Sequence, residues 1–305
     1  MVGLQRAQSF FILGLSLSIT LAAVGCGDDA SEETSGSGGS GASTSTSTRP
    51  EPVPSVEGFF DHRHTAVEDI PESCLAQLKS GSFVFHYAHR SHGAQLIQGA
   101  ESLEASMPAL GFEAEYCGVP AMGDVLKMWD GMISNNLVEA EHYWASGEGV
   151  ADVRAILSEN PSIKYSMWAW SFEISAQTEA QVQLYLDTME ALEAEFPDVT
   201  FIYMTGTAQD EYNAVNRSQR NAQIRAFAEQ RGKVLYDFED LDAWYQGERH
   251  TQVIDGVEVL REHPHYSVET AGNTEYEYTH TTQESCENKA RAFWGMMAKL
   301  EGCAP

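Results

Sequence analysis

Four short, largely apolar runs stand out along the chain, at 82–87 (SFVFHY), 162–171 (SIKYSMWAWS), 199–206 (VTFIYMTG) and 233–238 (KVLYDF). Their aromatic and β-branched content over so few positions predicts strands covered on both faces. Between the second and third lies a stretch with a different period. Val182, Tyr185, Leu186, Met189, Leu192 and Phe196 recur at helical spacing, Thr178 and Gln181 have the form of a capping box, and Pro197 closes the segment. A second helix is expected over 218–231, ended by Gly232 as a left-handed cap. A last one over 287–301 carries Ala290, Phe293, Trp294, Met297 and Leu300 on one side. Strands alternating with helices of this length predict an α/β fold of three layers, an α/β/α sandwich around a mainly parallel sheet. In such sheets ligands bind beyond the carboxyl ends of the strands, where the AHRSHG and MTG segments fall.

Before residue 57 the pattern breaks down. Residues 1–25 hold one arginine, an apolar run of signal-peptide length and then small residues. The segment Ala23-Val24-Gly25-Cys26 resembles a bacterial lipoprotein signal, which implies lipidation of Cys26 and a membrane contact through that anchor alone. A secretory signal without lipidation is the alternative. Residues 26–56 are rich in Gly, Ser, Thr and Pro and nearly free of large apolar side chains, so they cannot bury a core and read as a tether. Residues 57–305 carry the aliphatic and aromatic density of a single domain. The expected location is the cell envelope.

Charge narrows the partners. Forty-five acidic residues against 18 Lys and Arg give a formal charge of −27. Such a surface repels phosphate backbones, which argues against nucleic acid. Setting Cys26 aside, Cys74, Cys117, Cys286 and Cys303 make an even number in a compartment where disulfides persist. The last predicted helix separates Cys286 from Cys303 by roughly 25 Å at its rise per residue, too far to pair. Placing Cys303 and Cys74 at the amino-terminal edge of the sheet favours Cys74–Cys303 and Cys117–Cys286.

The first strand runs into FVFHYAHRSHGAQL, where histidines surround Ser91 and Gly93 follows. A serine presented on a tight strand-to-helix turn, beside the free N–H groups of a helix start, is a candidate nucleophile. It needs a base, and His89 and His92 are too close along the chain to take the required pose. His280, just before the last helix, is the distant candidate, with Glu277 three residues earlier to orient it. His86, His89 and His92 also recur at intervals of three, with His62 and His64 upstream, which opens a metal-ligand reading. Because His86 lies inside the strand and the chain turns after it, no metal or other cofactor is assigned.

The blocks FHYAHRSHGAQLIQG, MWAWSFEISAQTEAQ through VTFIYMTG, NRSQRNAQIRAFAEQRGKVLYDFEDLDAW and HTTQESCENKARAFWGMMAKLEG, in that order, resemble a group of exported bacterial proteins of the SGNH/GDSL hydrolase type. The resemblance spans about 70–302 and implies a flavodoxin-like topology and ester hydrolysis. It places the nucleophile on Ser91 and the base on His280, with Glu277 where that superfamily has aspartate. His92, Gly93, Gln95, Ser171, Thr205 and Gly206 become the oxyanion and pocket residues. Ser171 stands where the superfamily supplies an asparagine, and Gly118 or Gly123 where it supplies a glycine. The implied substrate is a small-molecule or glycan ester, with an acyl group on carbohydrate as the leading candidate. A non-catalytic cell-surface carbohydrate-binding protein on the same fold, and a histidine-ligated metallohydrolase, are the alternatives.

Overall fold

In the computed structural model one sheet is built from strands β1 (Phe59–Phe60), β2 (Val84–Ala88), β3 (Phe112–Tyr116), β4 (Leu126–Asp130), β5 (Ile163–Trp168), β6 (Thr200–Met204) and β7 (Val234–Tyr236). Their order is β1-β7-β6-β5-β2-β4-β3, and every neighbouring pair is parallel. The inner five follow the flavodoxin-like order, with β3 and β1 added at the two edges. The structure describes residues 57–132, 140–209 and 212–303, all within a compact unit spanning Val53–Pro305. The expected signal, the lipidation at Cys26 and the tether lie outside the described residues.

Helices α1 (Glu72–Lys79), α2 (Ala94–Ser106), α3 (His142–Ala145), α4 (Gly147–Glu159), α5 (Glu179–Glu195), α6 (Ala214–Arg231), α7 (Phe238–Ala243) and α8 (Gln283–Leu300) complete a three-layer sandwich. The alternation of side chains along β2 divides the core. Phe85 and Tyr87 join Leu75, Leu96, Phe293 and Met297 from α1, α2 and α8; Val84 and Ala88 join Ile156, Leu186 and Ile224 from α4, α5 and α6. The capping box at Thr178 and Gln181 opens α5, and Gly232, at φ +60°, closes α6. Trp168 and Trp170 are fully buried against Trp144 and Tyr185, so they are core rather than a ligand platform.

Helices α2 and α8 approach so closely that a Cβ at Gly99 would lie 2.0 Å from the Cys286 carbonyl oxygen. That contact needs glycine. Below the carboxyl ends of β6 and β7 sits a buried set of charges, in which Arg225 reaches both Asp237 and Glu239 and Lys289 pairs with Asp242 at 2.7 Å.

Cys74, in α1, is bonded to Cys303, beyond α8, with Cα atoms 5.1 Å apart. Joining residues 229 apart in sequence restricts the unfolded chain strongly, by about 5.5 kcal/mol in the loop-entropy account. The second expected pair does not form: Cys117 and Cys286 are free thiols. Cys117 ends edge strand β3 and donates to the Met132 carbonyl, whereas Cys286 is buried in α8 with its thiol 3.4 Å from Thr279 Oγ1. The two thiols lie on different elements, Cys117 partly exposed after edge strand β3 and Cys286 buried in α8, which the helical-separation argument does not capture.

Candidate functional site

Strand β2 ends at Ala88, and the chain turns through 89–93 into α2. Ala94 and Gln95 donate back to the Arg90 and His92 carbonyls at 3.1 and 3.2 Å, while the N–H groups of Ser91, His92 and Gly93 meet no acceptor among the described residues. Free N–H groups are what the start of a helix supplies. Ser91 is exposed on this turn, and its hydroxyl makes no hydrogen bond among the described residues. Gly93 is dictated by packing, because a Cβ there would lie 2.4 Å from His89 Cβ and 2.9 Å from Ala169 Cβ.

The three histidines of the stretch have separate partners. His86 Nε2 lies 3.2 Å from the Gly131 carbonyl, an acceptor only, so Nε2 carries the hydrogen and Nδ1 accepts from Ser166 Oγ at 2.8 Å. Burial pushes its pKa down to about 4. For His89 burial also opposes charge, but Asp130 Oδ1 at 2.8 Å from Nε2 outweighs it and raises the pKa. His89 therefore holds the turn as half of an ion pair. His92 Nδ1 lies 2.7 Å from Ser171 Oγ, and burial, with help from nearby His280, pushes its pKa down to about 4. The three rings do not converge on a common point.

His280 arrives from the far end of the chain and stacks on His92, with ring centroids 4.8 Å apart and 29° between planes. It is exposed, on the same carboxyl edge as Ser91. Its backbone N–H donates to Glu275 Oε1 at 2.9 Å, and its Nδ1 stands 3.6 Å from the same oxygen. The carboxylate facing the ring is thus that of Glu275, where Glu277 was expected. Positive φ at Glu277 (+44°) and Tyr278 (+62°) coils the chain, so spacing by three does not bring Glu277 to the ring. Glu275 also lines an open recess of about 410 Å³ with His265, Asn273, Thr274, Tyr276 and Gln283.

No protein-family model matches the chain, and no curated protein does. What the site can do must come from its geometry.

Ser171 is buried, its N–H donating to Glu173 Oε1 at 2.9 Å and its hydroxyl on His92. The next residue, Phe172, is exposed, with its ring 6.5 Å from that of His92. Thr205 and Gly206 do not face open space. Thr205 Oγ1 donates to Asp237 at 2.9 Å and accepts the Glu239 N–H, and the Gly206 N–H donates to Asn221 Oδ1 at 2.8 Å. A Cβ on Gly206 would lie 2.5 Å from Ile174, so the MTG segment is a packed strand end. Gly118 follows edge strand β3, and Gly123 is exposed, with nothing within 4 Å of where a Cβ would stand. The glycine that ends β4, beside β2, is Gly131 at φ +88°, and its N–H donates to Tyr87 O at 2.8 Å.

Gln95 has a role that its motif position alone does not reveal. Its Nε2 donates to the Thr279 carbonyl at 2.7 Å, tying α2 to the residue before His280. Glu275, Gln209 and Glu262 were not anticipated, because each lies in irregular chain with no periodicity to flag it. Burial, then the negative charge of Asp242, raises the Glu262 pKa to about 7, against hydrogen bonds from Gln209 and Thr281.

One cluster could hold a cation by composition. Ligand atoms of Asp61, His62 and Asp240 lie within 4.8 Å of one another, beyond β1 and β7. Asp61 is already bound by Arg63 and His64, and His62 Nδ1 lies 2.5 Å from Asp240 Oδ1. Those ion pairs account for the cluster. The EDLDAW segment that contributes Asp240 is a helix start, with Asp237 as the cap of α7.

Proposed function

We propose that the protein is a serine ester hydrolase of SGNH type, exported and lipid-anchored through Cys26, acting on an acyl ester such as an acylated carbohydrate. The observation that supports it is that His280 stacks on His92, the residue next to an exposed Ser91 at the head of α2. Ser91 Oγ attacks the ester carbonyl carbon while His280 takes the hydroxyl proton through Nε2, its Nδ1 side being turned to Glu275. The N–H groups of Ser91, His92 and Gly93 are available to the oxygen that gains charge, and each such donor is worth about 3 kcal/mol. The tetrahedral adduct then collapses, the alcohol leaves with the proton from His280, and water repeats the sequence to release the acid and free Ser91. Phe172 offers exposed apolar surface beside His92 for the acyl group, and the polar recess past Glu275 suits a hydroxylated alcohol portion.

A second reading has one observation in its favour. Ser171 and His92 already form a short Ser–His contact, with a histidine kept neutral by burial, as a nucleophile and base would need. Ser171 is only 2% exposed, which places it out of a substrate's reach. Both readings answer to one experiment: a fluorophosphonate probe on the intact protein, with the adduct located by peptide mass spectrometry. An adduct on Ser91 that disappears in Ser91→Ala and slows at least 100-fold in His280→Ala is expected. An adduct on Ser171 would transfer the role of nucleophile, and no adduct together with no turnover of acyl esters would leave a carbohydrate-binding protein on this fold.

A further inference from the structure

Three of the four residues 277–280 have positive φ without being glycine: Glu277 at +44°, Tyr278 at +62° and His280 at +65°. Each costs of order 1 kcal/mol or more, so this conformation persists only if its surroundings impose it. Local bonds supply part of that, with the His280 N–H on Glu275 and the Tyr276 N–H on the Thr281 carbonyl at 2.9 Å. Both lie within the segment itself and could move with it. What ties the segment to the rest of the protein is a set of buried side chains. Gln95 Nε2 donates to Thr279 O, the carbonyl just before His280. After His280, the Thr281 hydroxyl donates to Glu262 Oε1 at 2.7 Å. The same Glu262 oxygen accepts from Gln209 Nε2 at 2.7 Å, and that Nε2 also reaches the His280 carbonyl at 3.0 Å.

We infer that Glu262 is a positioning residue that fixes the backbone on which His280 stands, through Thr281 on one side and Gln209 on the other. One carboxylate oxygen organises two donors, and those donors hold consecutive residues of a strained turn. Its own backbone is anchored too: the Glu262 N–H donates to the Ala208 carbonyl at 3.2 Å, and its carbonyl lies 2.8 Å from His250 Nδ1. Glu262 is buried, 9% exposed, and touches neither Ser91 nor the ring of His280, so its effect runs through the loop. Burial raises its pKa, which fits an acceptor that works without a salt-bridge partner of its own. Substituting an apolar residue removes the acceptor the two donors share, leaving the Thr281 hydroxyl only the Tyr266 carbonyl at 3.2 Å and the Gln209 amide only the His280 carbonyl. Glutamine, by contrast, keeps an amide oxygen in the same place and should preserve the arrangement.

This inference rests on His280 being the base, so its test includes an arm that does not need catalysis. The full chain would be prepared as wild type, Glu262→Leu, Glu262→Gln and Thr281→Val, with His280→Gln to assign the His280 ring resonance. Ring shifts, hydrogen exchange of residues 276–282 and the rate of probe attachment to Ser91 would be measured on each, at temperatures where all are folded. In Glu262→Leu the His280 ring signal should move to that of an unstacked histidine, exchange across 276–282 should speed up at least tenfold, and probe attachment should slow at least tenfold. Thr281→Val should fall between, and Glu262→Gln should return all three close to wild type. An unchanged His280 signal and unchanged exchange in folded Glu262→Leu overturns the inference. Failure of wild type to label at all would remove the hydrolase reading while leaving the spectroscopic arm to judge Glu262.

Discussion

Lys289 is the most exacting place to test the energetics beneath the site. Its ammonium is 0% exposed, 2.7 Å from Asp242 Oδ1, 2.7 Å from Ser285 Oγ and 4.8 Å above the Phe238 ring. Asp242 is equally buried, and its other oxygen accepts from Thr207 Oγ1 at 2.9 Å and the Ala208 N–H at 2.8 Å. Lys289→Met keeps most of the volume and removes only the cation. Oδ1 of Asp242 then faces an apolar neighbour, and breaking a buried pair from one side costs about 3–5 kcal/mol. With a urea m value of about 3 kcal/mol/M for a domain this large, the midpoint should fall by about 1–1.7 M. The double variant Asp242→Asn/Lys289→Met removes both charges and retains an amide oxygen for Thr207 and Ala208. It should cost only about 1–2 kcal/mol, about 2–3 kcal/mol less than Lys289→Met alone. If Lys289→Met costs less than about 1 kcal/mol, or the double variant is worse than the single, the pair is not the buried ionic contact argued for.

Two further outcomes follow from packing and from linkage. Gly99→Ala must push α8 away from α2, since the clashing atom is the Cys286 backbone carbonyl, which has no rotamer to change. Its cost should reach or exceed the usual 1–3 kcal/mol of overpacking and lower Tm by about 5–10 °C, while Gly147→Ala, with nothing within 4 Å, should not; equal melts for the two would refute the close approach. His86 and His92 each have a folded pKa depressed from 6.5 to about 4, so the unfolded chain binds more protons between those values and stability falls as pH drops through that window. The loss should approach about 3 kcal/mol per histidine, and His86→Gln, which can donate to Gly131 and accept from Ser166, should shrink it in urea melts at pH 7 and pH 4.5. Glu262, raised to about 7, works in the opposite direction, so an undiminished slope in His86→Gln would show that His86 is not held neutral.

The regular part of the fold was legible because its signals are periodic and local. The apolar spacing from Val182 to Leu192, the Thr178–Gln181 capping box and Gly232 mark α5 and the end of α6 within a few residues. The four apolar runs are β2, β5, β6 and β7, the strands whose both faces are covered. Strands β3 and β4 escaped because their patterns are mixed. Phe112–Tyr116 is an edge strand reading FEAEY, with two exposed residues at its end, and Leu126–Asp130 carries Lys127 and Asp130 among its apolar residues. Neither looks like a buried run. Missing β3 also misled the cysteine pairing, because Cys117 then had no known layer and could be drawn toward Cys286.

The candidate site divides along the same line, into segments set by local geometry and a turn that is not. Ser91, His92 and Gly93 were legible because a strand end, a turn and a helix start form one continuous segment, and helix geometry fixes where N–H groups are left over. His280 lies just before α8, again a helix start. The choice between Glu275 and Glu277 depended instead on φ angles in a turn that no periodicity governs, where three non-glycine residues adopt positive values. Such a turn is not encoded in its own residues. Beyond its local bonds it is tied down by Gln95, Gln209 and Glu262, which come from α2, the loop after β6 and the chain beyond the 251–260 hairpin. A side chain held in this way is only as well placed as its distant supports, so residues from other elements should govern the position of His280 as firmly as the neighbouring Glu275 carboxylate does.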